Sequence, residues 1–236
     1  MLEEKEDLEQ VKFMKLNLPY KERFISAIIL IPITLFIIIK GGLIFNLLLI
    51  VAALILLSDF FNILVKSDNL DLLPKYLPFV ITYCALPIAA LISLRNLPSG
   101  LEIIIYLCLI VWLTDIAAFF VGKTLGGPKL APKISPNKTL SGFLGALVII
   151  ALFALFAYFF TNKNISLYSF IVIALFISIF AQIGDLIESY FKRKFGVKDS
   201  GNIIPGHGGL FDRVDGLLVA SVIGYLVFGI FNQNIF

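Results

Sequence analysis

The stretch from Ser189 to Asp215 carries the densest set of side chains that can take part in chemistry. Three of its aspartates, Asp199, Asp212 and Asp215, are hard oxygen ligands suited to Mg²⁺. Its cations suit phosphate anions, and they are Lys192, Arg193, Lys198 and Arg213. Because metal and guanidinium groups neutralise charge on a transferring phosphorus, this combination predicts phosphoryl or nucleotidyl transfer. The alternative, a solvated charged loop, seldom combines clustered carboxylates with Gly-His-Gly-Gly.

The spacing of the acidic residues predicts which side chains share a helix face. Asp212 and Asp215 are three residues apart, so a helix starting near Gly208-Gly209 would point both carboxylates the same way. A polar stripe with the i, i+3, i+4, i+7 spacing of one helix face precedes them and consists of Asp185, Glu188, Ser189 and Lys192. Gly184 beside this stripe permits close approach of another helix.

Three aspartates, Asp59, Asp115 and Asp185, fall inside apolar runs. Ionisable groups in membrane spans are costly to insert, so each is a candidate functional group. With a cytoplasmic N-terminus, all three lie at a similar depth, about 8–10 Å from the cytoplasmic ends of their helices at 1.5 Å per residue. The alternative is that each pairs with a lysine at its helix end or reaches out to water.

A glycine-rich basic loop, residues 122–139, is a second candidate for phosphate binding. Glycine turns expose backbone N–H groups, and the lysines, Ser135 and Thr139 add further donors. Gly122-Lys123-Thr124 is not a P-loop, because Ala117 stands where the upstream glycine is required. The alternative is a basic loop that binds anionic lipid at the membrane surface.

The composition indicates what must position these groups. Hydrophobic residues make up 59% of the 236 residues and charged residues 15%, which excludes a water-soluble fold. We expect an all-α polytopic membrane protein of about seven transmembrane helices, near 24–40, 43–65, 77–94, 101–122, 141–161, 167–190 and 216–235. Cys84 and Cys108 lie in apolar runs and are interpreted as packing residues. His207, the single histidine, cannot form a metal site alone, although it could be one ligand or a phosphate contact.

The distribution of positive charge predicts the orientation. With seven spans, all but three of the 19 lysine and arginine residues fall on the side of the N-terminus, the exceptions being Lys40, Arg95 and Lys163. Cytoplasmic segments hold the excess of positive charge, so the N-terminus is predicted to be cytoplasmic. The expected organisation is a cytoplasmic segment 1–23, N-terminal transmembrane helices over 24–122, and a C-terminal catalytic part over 123–236 with cytoplasmic loops 123–140 and 191–215.

The same stretch closely resembles the signature of the phosphatidate cytidylyltransferases, or CDP-diacylglycerol synthases. From Ser189 to Asp215 the shared elements are Ser, Lys-Arg, Lys-Asp, Pro-Gly-His-Gly-Gly and Asp-Arg-x-Asp, each at matching spacing. Also similar are Gly184-Asp185 with Glu188-Ser189, Asp115-x-x-Ala118 before Gly122-Lys123, and Ser135-Pro136 with Lys138-Thr139. Leu140-Ser141 and Ser58-Asp59 depart from the family pattern, which has glutamate-bearing motifs at those places.

The resemblance implies transfer of CMP from CTP to phosphatidic acid at the cytoplasmic face of the cell membrane, with release of pyrophosphate. It implies Mg²⁺ held mainly by Asp185 and Asp212 with support from Asp215 and Asp115, and a second cation is an option beside Asp212. Asp185, Asp212, Lys198 and Arg213 are the expected catalytic residues. The residues expected to bind substrate are Ser135, Lys138, Thr139, Ser189, Lys192, Arg193, His207, Gly208 and Gly209.

The expected partners are CTP, phosphatidic acid and membrane lipid, with no nucleic acid; because the family is often dimeric, a homodimer is a further option. No protein nucleophile is required, so Ser189 is interpreted as a ligand or hydrogen-bond donor. A transporter is the main competing class, because buried carboxylates at one depth could form an ion path. The external connections are short and carry no polar cluster, which argues against transport. CDP-alcohol phosphotransferases are a second competitor, but Asp215-Gly216 lacks the arginine of their motif.

Overall fold

The computed structural model describes residues 28, 31–161, 165–201 and 208–230. Its helices in chain order are α1 (Ile31–Lys40), α2 (Gly42–Lys66), a 3₁₀ turn (Leu70–Leu72), α3 (Leu73–Arg95), α4 (Gly100–Leu125), α5 (Leu140–Tyr158), α6 (Leu167–Lys194), α7 (Phe211–Gly224) and a π-helical turn (Tyr225–Ile230). The predicted segment 1–23 and His207 lie outside the described residues.

The described residues form an all-α membrane protein. Five helical stretches are long and apolar enough to cross a bilayer: α2, α4, α5, α6 and the stretch Leu70–Arg95 that contains α3. They agree with five of the predicted spans to within a few residues, apart from the earlier start of α3. α1 is described over ten residues, and α7 runs on into the π-helical turn within the predicted seventh span.

The core packs around α4, which contacts α3, α5, α6 and α7. Its buried side chains are mainly aliphatic, and one polar pair, Thr114 on α4 and Ser178 on α6, forms a hydrogen bond of 2.8 Å. α5 approaches α4 closely because Gly122 lacks a side chain, and a Cβ there would lie 2.7 Å from Thr139 Oγ1. This approach brings the start of α5 against the end of α4.

A short antiparallel hairpin, β1 (Lys129–Ala131) and β2 (Ser135–Thr139), connects α4 to α5. The sequence predicts a loop here, whereas the structure has a two-stranded sheet. Thr139 ends β2 and begins α5, because its hydroxyl accepts the Gly142 N–H at 3.1 Å as an N-cap. The hairpin is thereby held beside the helix ends.

Different contacts lie at the two ends of the helical bundle. At one end the Arg95 guanidinium, at the end of α3, donates to the carbonyls of Ile38 and Ile39 at 3.0 Å each. At the other end, Lys138 of β2 pairs with Asp185 near the end of α6. The hairpin and the last turns of α6 therefore share one end, where the start of α7 also lies.

Aromatic side chains pack the last turns of α2 and α6 against the start of α7. Phe60 and Phe191 have ring centroids 4.5 Å apart, and Phe191 also contacts Phe195 at 4.8 Å. Phe211, the first residue of α7, packs edge-on against Tyr83 of α3. This cluster fixes the position from which α7 starts.

Candidate active site

Three carboxylates form a compact acidic cluster at the junction of α6 and α7. Asp185 and Glu188 come from α6 and Asp215 from α7, and one oxygen of each lies within 4.8 Å of the others. Gly184 permits this approach, because a Cβ there would lie 2.6 Å from the Asp215 carbonyl oxygen. The predicted close helix contact at Gly184 is therefore confirmed.

Asp185 lies at the open edge of the cluster. Its carboxylate forms an ion pair with Lys138 of β2, and both side chains are about one quarter exposed. Ser189, one turn along α6, donates its hydroxyl to Asp185 Oδ1 at 3.3 Å. The predicted stripe thus places Ser189 against a carboxylate.

Lys192 joins the cluster to the first turn of α7. Its ammonium lies 2.9 Å from Glu188 Oε1 and 2.6 Å from Asp212 Oδ1. Glu188 is 2% exposed, so its buried carboxyl group relies on this ammonium as a polar partner. Lys192 was expected to bind substrate, but in this structure it holds two carboxylates.

Asp212 is closely held by protein donors. Its Oδ2 accepts the Ser200 N–H at 3.0 Å, the Ser200 hydroxyl at 2.9 Å and the Gly209 N–H at 3.2 Å. Burial favours the neutral acid, but a hydrogen bond with Glu188 and the contacts of Lys192 outweigh it and lower the pKa of Asp212 to about 2. Asp212 is therefore an anion that binds Ser200 and Gly209, and it lies outside the three-carboxylate cluster.

A cavity of about 600 Å³ opens beside Asp185. Its walls are the last three turns of α4, the hairpin, the first turn of α5 and one face of α6. Lys123, Lys129 and Lys138 line it, as does Asp115. Asp115 and Asp185 thus share one cavity, as expected from their predicted depth, whereas Asp59 lies against the start of α7.

Of the other predicted site residues, several lie away from this cavity and one, Thr139, lines it. Lys198, Arg193 and Arg213 are exposed, and Arg193 donates to the Val197 carbonyl at 3.1 Å as a cap of α6. Asp199 is exposed as well. Thr139 lines the cavity, but its hydroxyl accepts the Gly142 N–H and caps α5. Ser135 lies at the start of β2. Gly208 and Gly209 approach the Asp212 carboxylate, and His207 lies outside the described residues.

Two residues at the site had no predicted role. Gln182 is 6% exposed and lines the cavity one turn before Asp185, and its amide nitrogen has no hydrogen-bond partner within the described residues. Ser200 is fully buried and holds Asp212. The spacing of Gln182 three residues before Asp185 is a signal that could have extended the polar stripe by one turn.

The acidic cluster has the donor chemistry that a divalent cation requires. Asp185, Glu188 and Asp215 supply carboxylate oxygens from two helices, close enough to share one ion. Lys138 and Lys192 are the cations paired with this cluster in the described part of the chain. These carboxylates fit Mg²⁺, which is bound in proteins through a few carboxylates together with substrate phosphates.

Carboxylates beside a lysine-lined cavity, at one end of an apolar helical bundle, define a membrane protein with a site suited to phosphate chemistry. Comparison with known proteins agrees with this class. Residues 75–231 match the model of the cytidylyltransferase family. The match covers the cavity, the acidic cluster and α7.

Individual relatives point the same way. A phosphatidate cytidylyltransferase of Rickettsia bellii is 38% identical over 216 residues, covering 89% of this chain and 90% of the relative. The phosphatidate cytidylyltransferase of Bacillus subtilis is 41% identical over 182 residues, covering 77% of this chain and 67% of the relative. The enzyme of Brucella suis is 50% identical over 137 residues, but this match spans only 50% of its length. The chain belongs to the phosphatidate cytidylyltransferase family.

Proposed function

We propose that this protein transfers CMP from CTP to phosphatidic acid, forming CDP-diacylglycerol and pyrophosphate for phospholipid synthesis. The observation that carries the proposal is the cluster of Asp185, Glu188 and Asp215 beside a cavity lined by lysines. The relatives that carry this activity in their names match 77% and 89% of this chain. A lipid substrate also agrees with the apolar helices around the site.

The reaction needs positioning and charge stabilisation rather than a covalent intermediate. An oxygen of the phosphatidate phosphate attacks the α-phosphorus of CTP, and the bond to the β-phosphate breaks as pyrophosphate leaves. Ser189 is hydrogen-bonded to Asp185, which suits a role in orienting that carboxylate. Bringing two anionic substrates together in a fixed geometry is the main task of such a site.

The bound Mg²⁺ would neutralise charge on the phosphate oxygens. Asp185, Glu188 and Asp215 are the residues that we propose to hold it, because their oxygens converge. From the sequence, Asp185 and Asp212 were expected to be the main Mg²⁺ ligands. The geometry favours Asp215 and Glu188 as partners of Asp185, and it favours Asp212 as the residue that holds Lys192 and the Ser200 N–H.

The lysines of the cavity would receive the phosphates. Lys138 is placed to contact a phosphate that approaches Asp185, and Lys123 and Lys129 line the same space. Ammonium groups suit phosphate oxygens as mobile point charges. Lys198, Arg193 and Arg213 remain proposed contacts from the exposed rim, where Arg193 and Lys198 are accessible to a nucleotide arriving from solvent.

We further propose seven spans with the N-terminus and the site on the cytoplasmic side. The excess of lysine and arginine on that side supports this orientation. The site then faces the compartment that supplies CTP. Labelling of single introduced cysteines at residues 71 and 97 with an impermeant maleimide in intact cells tests it. Protection at 71 with labelling at 97 agrees with the orientation, and the reverse pattern would overturn it.

The function is tested with purified protein in detergent micelles containing phosphatidic acid, CTP and Mg²⁺. Wild type is expected to form CDP-diacylglycerol, and Asp185→Asn is expected to form little. Asp71→Asn, at an exposed carboxylate on the 3₁₀ turn, is the matched control and should retain activity. Equal activity of Asp185→Asn and Asp71→Asn would reject the assignment of the site.

A further inference from the structure

We propose that Asp59 of α2 is a positioning residue that holds the first turn of α7 so that Asp212 and Asp215 point into the active site. This inference rests on the proposed function. It gives a role to a carboxylate that lies in the N-terminal half of the chain and outside the acidic cluster.

Asp59 is completely buried, and it reaches the start of α7 directly. Its Oδ2 accepts the Phe211 N–H at 3.0 Å across 152 positions of sequence. Phe211 is the first residue of α7, and the preceding Leu210 offers no side-chain cap. Asp59 therefore caps α7 from another helix, where a carboxylate also interacts favourably with the positive end of the helix dipole.

Two glycines that precede α7, Gly201 and Gly209, lie close to this carboxylate. A Cβ on Gly209 would lie 2.6 Å from Asp59 Oδ2, and a Cβ on Gly201 would clash with Asp59 Oδ1. The absence of side chains at both glycines allows the backbone to approach the buried acid. Asp59 thus lies against the backbone at Gly201, at Gly209 and at Phe211.

Asp212 also binds backbone groups next to these positions. Ser200 and Gly209 donate their N–H groups to Asp212 Oδ2, and Phe211 donates to Asp59. The two carboxylates therefore bind neighbouring backbone groups. A shift of the Phe211 backbone would move Asp212 and, three residues later, Asp215.

Burial of Asp59 is hard to explain by packing alone. Its neighbours on α2, Leu56 and Phe60, are buried in an apolar cluster with Phe211. An apolar residue at position 59 would avoid the cost of burying a carboxylate but would leave the Phe211 N–H without this acceptor. A fixed backbone position at the start of α7 is what the carboxylate provides.

The test compares Asp59→Leu and Asp59→Asn with Leu56→Ala. Asparagine keeps an acceptor oxygen, leucine removes it, and Leu56→Ala disturbs the same apolar cluster without touching the Phe211 N–H. Each variant is measured for thermal unfolding, for kcat and KM, and for Mn²⁺ binding by electron paramagnetic resonance. Rates are expressed per folded protein, from the monodisperse fraction on size exclusion.

Asp59→Leu is expected to lower kcat by about 100-fold and to weaken Mn²⁺ binding, because small displacements of reacting groups carry penalties of this size. Asp59→Asn should recover most of both properties. Leu56→Ala should lower Tm but leave Mn²⁺ affinity unchanged. Folded Asp59→Leu with wild-type kcat and Mn²⁺ affinity would overturn the proposal.

Failure of the proposed function gives a different result. If wild type makes no lipid product, the transfer assignment fails, while Mn²⁺ binding still tests the role of Asp59. Weaker Mn²⁺ binding by Asp59→Leu than by Leu56→Ala would then support positioning. Equal Mn²⁺ binding by these two variants would reject it.

Discussion

The ammonium of Lys192 lies 2.6 Å from the carboxylate of Asp212 and joins the end of α6 to the start of α7. The same ammonium lies 2.9 Å from Glu188, so one cation serves two acids on two helices. These side chains are at most 11% exposed. The junction that carries the acidic cluster therefore depends on a buried network of charges.

Lys192→Met should destabilise this junction strongly. Removing the cation leaves Glu188 and Asp212 buried without their shared partner, and breaking a buried pair costs about 3–5 kcal/mol. We expect a lower Tm and weaker Mg²⁺ dependence of activity, measured by thermal unfolding and by titration of Mg²⁺. Lys194→Met, at an exposed lysine of the same helix, is the control. Equal Tm values for the two variants would contradict the role of Lys192.

Gly184→Ala should separate α6 from α7. The added Cβ would lie 2.6 Å from the Asp215 carbonyl oxygen and 3.1 Å from Val219 Cγ2, and overpacking of this kind costs about 1–3 kcal/mol. Because Asp215 would move away from Asp185, the Mg²⁺ concentration for half-maximal activity should rise.

Gly145→Ala provides the matched control for that substitution. Its Cβ would lie 2.5 Å from Val121 Cγ1, so it overpacks the contact of α4 with α5 rather than the acidic cluster. We expect a comparable loss of stability with an unchanged Mg²⁺ requirement. A similar Mg²⁺ requirement in both variants would show that Gly184 does not position Asp215 for metal binding.

Much of this junction could be predicted from the sequence, because local spacing determines which side chains share a helix face. The stripe on α6 is confirmed by the contacts of Ser189 with Asp185 and of Lys192 with Glu188. Spacing also places Asp212 and Asp215 in the first turns of one helix. It could not show that Asp215 meets the cluster while Asp212 binds Lys192, because that depends on how α7 is rotated against α6.

Features that depend on tertiary packing were less predictable. The hairpin of β1 and β2 has only eight strand residues in total, between two long helices. The glycines before it and the prolines within it are equally typical of a loop. The contact of Asp59 with Phe211 joins residues 152 positions apart. No local pattern predicts such a contact, although a carboxylate in an apolar run marks Asp59 as a residue that needs a partner.

Lys138→Met should weaken substrate binding more than folding. Lys138 pairs with Asp185 at the edge of the cavity and is partly exposed, so its loss removes a positive charge from the route of the phosphates. We expect KM for CTP to rise by about tenfold, the scale of one charge-assisted hydrogen bond. Lys133→Met, in the turn between β1 and β2, should leave KM unchanged. An unchanged KM for CTP in Lys138→Met would exclude this contact.

Gln182→Leu should raise stability while lowering activity. The amide nitrogen of Gln182 is buried without a partner in the described part of the chain, so leucine should raise the free energy of unfolding by about 1–3 kcal/mol. The amide lines the cavity, where a substrate would supply the missing acceptor. Thermal unfolding without substrate and kcat/KM with substrate check the two effects. Higher Tm with unchanged kcat/KM would remove Gln182 from the site.

Following the α-phosphorus of CTP tests cytidylyl transfer without relying on any single site residue. Purified protein is incubated with phosphatidic acid, Mg²⁺ and CTP radiolabelled at either the α- or the γ-phosphorus. We expect α-label to enter the chloroform-soluble lipid in a one-to-one ratio with pyrophosphate release, and γ-label to stay in the aqueous phase. Absence of α-label from lipid with folded wild-type protein, or transfer of γ-label to lipid, would contradict cytidylyl transfer.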